Sequence, residues 1–135
     1  MRESEFDIAL GLIIRTEESV DFISNIMEIE PSKVMQPNLK LDDYEEEKNV
    51  WVYRKKYAHC TDVGLSIRNF INGIENFTDK IARIKKYGVC VIRMSVVSTY
   101  GQFGFSFAEK DLSLLNEQKI PLEMTFFSYG NCIDE

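Results

Sequence analysis

The chain has 135 residues, 44% of them hydrophobic, including nine Phe, six Tyr and one Trp. That is enough apolar surface to bury a core in a single domain spanning 1–135, and too much for a disordered chain. A formal net charge of −6 argues against nonspecific binding to nucleic acid or to an anionic membrane.

Cys60, Cys90 and Cys132 are odd in number and widely spaced, which fits a reducing compartment better than a disulfide framework. Acids precede the apolar run IALGLII and RTEE follows it. The run therefore lacks the basic start and small-residue cleavage site of a secretory signal. No stretch approaches the roughly 20 apolar residues of a membrane helix. The expectation is a soluble, cytoplasmic protein. Charge is distributed unevenly: residues 1–47 carry net −9, residues 48–95 net +7 and residues 96–135 net −4. The basic middle either neutralises the acidic segment before it or forms a patch of its own.

In chain order, EFDIALGLIIR places Phe6, Ile8, Leu10, Leu12 and Ile14 at period two, a strand with one strongly apolar face. Thr16 is a candidate N-cap for a short amphipathic helix that carries Val20, Ile23 and Met27. Pro31 ends that helix, and residues 31–48, with two prolines, read as a long connection. NVWVYRKKY alternates as a second strand whose basic end suggests an exposed edge or a solvated face. Thr61 is placed to cap a helix with the stripe Val63, Ile67, Phe70, Ile71 and Ile74. Thr78 is placed to cap another, with Ile81 and Ile84, that stops at Gly88. VCVIRMSVVS is the most β-prone run, and TYGQFG is expected to turn it into a hairpin with FGFSF. A last helix anchored by Leu112 and Leu115 precedes the strand IPLEMTFFSYG. The order β-α-β-α-α-β-β-α-β implies an α+β two-layer sandwich, a largely antiparallel sheet with helices on one face.

Few residues carry chemistry. His59, the one histidine, adjoins Cys60, but neighbours on extended backbone point to opposite faces and do not form a nucleophile–base pair. Ligand pairs with zinc spacing are missing, as are phosphate-loop, nucleophile-elbow and dinucleotide fingerprints. GQFG (101–104) matches a G-x-x-G loop in letters only and reads as a turn. No cofactor is implied.

The most distinctive stretch is LDDYEEEK, in which Asp42, Asp43, Glu45, Glu46 and Glu47 surround Tyr44. Contiguous acids without a glycine do not make a calcium loop. Two readings stand: a solvated charge run, or a surface that meets a positively charged protein, with Tyr44 as an aromatic anchor.

The pieces Phe6–Ile14, Ile29–Glu30–Pro31, Trp51, Phe105–Ser106–Phe107, Leu112–Leu115 and Ser128–Tyr129–Gly130 resemble, over nearly the whole chain, a family of small bacterial α+β proteins catalogued only as a domain of unknown function. That family is loosely associated with toxin–immunity loci. Its motifs mark core and turn positions and transfer no catalytic residues. The resemblance implies an immunity protein that blocks the active or substrate-binding site of a toxin domain, a basic nuclease being the case that suits an acidic surface. Its partner is then a protein, not a nucleic acid or a membrane. The competing expectation is a small enzyme or ligand-binding domain, for which His59, Cys60, Arg93 and Tyr100 are the available polar groups.

Overall fold

Period-two alternation in β1 (Phe6–Thr16) places Phe6, Ile8, Leu10, Leu12 and Ile14 on one buried face. The computed structural model describes residues 5–36, 48–100 and 104–131. β1 is the centre of a five-stranded sheet, flanked by β3 (Asn49–Cys60) and β4 (Gly88–Tyr100), both antiparallel to it. β2 (Lys33–Met35) pairs antiparallel with β3 at one edge, and β5 (Leu122–Asn131) pairs parallel with β4 at the other. The order is β2-β3-β1-β4-β5.

Helices α1 (Val20–Met27), α2 (Val63–Asn72), α3 (Phe77–Ile84) and α4 (Glu109–Gln118) share one apolar cluster with the even-numbered face of β1. Trp51 of β3 and Ile92, Met94 and Val96 of β4 belong to the same cluster. The expected α+β two-layer architecture, largely antiparallel with helices on one face, is therefore the one observed. Burying one such aliphatic side chain contributes about 1.5–3 kcal/mol, so this layer holds the fold together.

Local assignments differ in instructive ways. Thr16 stays in β1, where its hydroxyl donates to the Tyr87 carbonyl and accepts from the Glu18 N–H. The α1 cap is Ser19, which accepts from the Phe22 N–H. Asp62, not Thr61, caps α2 through the Leu65 N–H. Thr78 lies inside α3 and donates to Gln118 Oε1. Ser, Thr and Asp compete for the same orphan donors, so neighbouring candidates trade places.

Lys33–Met35, expected in a connection, forms β2. The hairpin strand expected at FGFSF is absent from 104–107, where the backbone is irregular. There Phe105 packs edge-on against Phe6 and Phe107, so alternate aromatics reach the core without a ladder. β4 instead runs parallel to β5 through the α4 crossover, as parallel neighbours require. Gly88 opens β4 rather than ending α3. A Cβ there would collide with the Arg15 carbonyl of β1, so glycine permits the close strand approach. In α4, Leu112 is 53% exposed, and Asp111 and Gln118 are the residues buried.

Candidate interaction surface

Asp42, Asp43, Tyr44, Glu45, Glu46 and Glu47 lie outside the described residues. The described elements on either side of them are β2 and β3, adjacent antiparallel strands at one edge of the sheet.

The polar groups nominated for a small-molecule site do not gather. β3 bulges against β1 near its end, with His59 at φ 53°, so the extended backbone assumed from sequence is broken at that residue. His59 takes its backbone partner from Asp7 and its Nδ1 lies 3.2 Å from Glu5 Oε2, all at the surface. The Cys60 thiol donates to the Asp62 carbonyl, and burial raises its pKa. Arg93 lies on the opposite face of the sheet, where its Nε and Nη2 each stand 2.9 Å from Glu123 Oε2. The Tyr100 side chain lies outside the described set. Among the described residues no three His, Cys, Asp or Glu side chains form a metal-binding group.

The face of the sheet turned away from the helices is built from the odd positions of β1. Cross-strand register sets it out in rows. Ala9 stands between Lys56 and Ser95, Gly11 between Arg54 and Arg93, and Ile13 between Val52 and Val91. Beyond β4, Arg93 faces Glu123, Ser95 faces Thr125 and Val97 faces Phe127. Strands about 4.8 Å apart place Arg54 and Arg93 roughly 10 Å from one another across the glycine. With only Ala9 and Gly11 at the middle of the central strand, the rows sink into a hollow. One cavity of about 500 Å³ is lined by Gly11, Ile13, Arg15, Lys33, Arg54 and Arg93 among others. A second, of about 430 Å³, is lined by Asp7, Lys56, Tyr57, Val97 and Phe127. They share Ala9, Arg54 and Ser95 and so form one continuous depression. At its upper end Ile13, Val50 and Val91 form a second apolar cluster with Met35 and Val52.

Five bases (Arg15, Lys33, Arg54, Lys56, Arg93) and two acids (Asp7, Glu123) line these two cavities or pair with residues that do. The basic middle of the chain is thus divided. Arg54, Lys56 and Arg93 join this face. Lys80, only 5% exposed, donates to the Met27 carbonyl that ends α1, and Lys85 donates to the Gln118 and Lys119 carbonyls that end α4. Those lysines complete helix C-termini and are internal fasteners.

A third cavity, of about 700 Å³, opens where the start of α2 meets the start of α4. Phe6, Thr61, Arg68, Phe105 and Lys110 line it. Buried Asp111 joins the two helices there: Oδ1 lies 2.5 Å from Arg68 Nε, and Oδ2 accepts from the Ala108 N–H. Arg68 also reaches Asp62 Oδ2 at 3.4 Å. His59 lines none of these three cavities.

Sequence reasoning read the apolar face of β1 and passed over the other. The available signal was the pair of small residues Ala9 and Gly11 within a strand of large ones, and the bases Arg54 and Lys56 alternating with Tyr53 and Tyr57. Comparisons with protein-family models, with curated proteins and with solved structures found no match.

Proposed function

We propose that the chain is a binding protein that neutralises a bacterial toxin domain by covering its active or substrate-binding site. The observation that supports this reading is the helix-free face of the sheet, a shallow depression with an apolar end and a charged rim. A wide mosaic of this kind suits another protein better than a small substrate, which needs a deep pocket with a few convergent polar groups. Asp42, Asp43, Glu45, Glu46 and Glu47 supply long-range attraction to a basic partner, and Tyr44 an anchor. The outer face then supplies apolar contact, which charge alone does not replace. Because Arg54, Lys56 and Lys33 border it, the matching toxin surface is of mixed sign: cationic towards the acidic segment and carboxylate-bearing towards the sheet.

The test is co-expression with the product of the adjacent reading frame. Growth arrest relieved by this chain, together with a co-purifying complex, supports the reading. A non-toxic neighbour that forms no complex sinks it.

The second reading, a small ligand-binding domain, draws on the cavity at the junction of α2 and α4, where Arg68 and Lys110 offer positive charge. Thermal-shift titration with anionic metabolites separates the two, because an immunity protein gains nothing from them.

A further inference from the structure

The two edges of the sheet are managed differently. β2 is three residues long, contains Lys33 and follows Pro31, all features that blunt an edge. At the other edge β5 pairs with β4 in regular register from Leu122 to Ser128. It contains no proline or lysine, and Glu123 is its one charge. Met124, Phe126 and Phe127 are 43%, 49% and 51% exposed. Among the described residues no strand pairs with its outer side. A long, nearly uncharged, apolar edge is a template for another strand.

We infer that a second copy of this chain occupies that edge, the two β5 strands pairing antiparallel about a two-fold axis through Thr125. The sequence of the strand selects this occupant and this register. Centring on Thr125 uses all of the regular run, with Leu122 of one copy opposite Ser128 of the other. Met124 then meets Phe126, both on the helix side of the sheet, and Glu123 meets Phe127, both on the outer side. Each exposed apolar residue gains a cross-strand neighbour of the second copy, which is the unit of sheet stabilisation. No like charges oppose one another, and Glu123 keeps its Arg93 partner. A two-fold axis normal to the sheet carries both helix layers to the same side. The result is one ten-stranded sheet whose two helix-free faces are continuous. This inference stands apart from the identity of any toxin.

Sedimentation or light scattering between about 1 and 100 µM tests it. The expected mass moves from 15.7 kDa towards twice that value as concentration rises, and added salt favours the dimer by screening two acidic copies. Met124→Lys/Phe127→Lys should hold the protein at the monomer mass with an unchanged circular dichroism spectrum. Should that variant fail to fold, hydrogen exchange on the native chain decides instead: the amides of Met124 and Phe126, which the ladder phase turns away from β4, gain protection with concentration while those of β2 do not. A native chain that stays monomeric throughout, or a folded lysine variant that still dimerises, overturns the proposal.

Discussion

Arg68 of α2 and Asp111 of α4 form a buried ion pair, with Nε 2.5 Å from Oδ1, while the second carboxylate oxygen accepts from the Ala108 N–H at the start of α4. One side chain thus caps its own helix and fastens it to another. Gly64 completes the arrangement, since a Cβ at that position would run into the Asp111 carboxylate.

Removing one partner leaves the other charge poorly compensated in a buried setting, at a cost of about 3–5 kcal/mol. Arg68→Met should therefore lower stability in urea by an amount near that range, with Asp111→Ala somewhat less, because the Arg68 it leaves behind retains some solvent and its contact with Asp62. Gly64→Ala should be strongly destabilising alone and much less so in the Asp111→Ala background. A double-mutant cycle reads this coupling directly. Additive effects would mean that Gly64 and Asp111 do not meet.

Lys80 offers a contrasting test. Its ammonium donates to the Met27 carbonyl at 2.9 Å where α1 ends, and the residue is almost wholly buried. Lys80→Met keeps much of the aliphatic stem but leaves that carbonyl without its donor, which costs about 1–3 kcal/mol. Chemical denaturation should show the loss, with hydrogen exchange rising first in α1. An unchanged midpoint would remove Lys80 from the account of how α1 and α3 are joined.

Cys90 is buried, and burial raises its pKa to about 11, against a small lowering from Lys85. The unfolded thiol ionises near its ordinary value of about 8.5, so between that pH and about 11 the unfolded state binds fewer protons. Stability is accordingly full below the unfolded pKa and falls as pH rises through this window, by a contribution on the order of 3 kcal/mol. Cys90→Ala should flatten the alkaline loss measured by urea titration at successive pH values. In alkylation at pH 8, Cys60 should react before Cys90, because Cys60 is partly exposed. Equal rates in the native protein would contradict the burial of Cys90.

The core was legible because two periodicities, two in β1 and near 3.6 in α2, each point every large aliphatic residue one way. β2 was not legible, since Lys33–Met35 has no pattern of its own and exists by pairing with Val50–Val52. Phe105–Ser106–Phe107 misled for the converse reason: alternating aromatics imitate a strand, yet here they cluster with Phe6 and Phe126 from an irregular backbone. The outer face was hidden because no single element announces it. Gly11 gains meaning only when register brings Arg54 and Arg93 to its two sides.

Two surfaces are proposed for partner binding, and changes of charge separate them. Arg54→Glu/Lys56→Glu alters exposed side chains without ion pairs among the described residues, so stability should change by no more than about 0.5 kcal/mol. If the sheet face contacts the toxin, this variant should dissociate at least tenfold faster, because its contacts are short-range. Neutralising Asp42, Asp43, Glu45, Glu46 and Glu47 to Asn or Ser should instead slow association in low salt and flatten its salt dependence, leaving dissociation nearly unchanged. Stopped-flow association and surface-based dissociation measurements on both variants distinguish the roles. An unaltered association rate in low salt would remove the acidic run from the interface, and an unaltered dissociation rate would remove Arg54 and Lys56. The combined variant should show both changes at once, since a steering field and a contact surface act on different steps of one encounter.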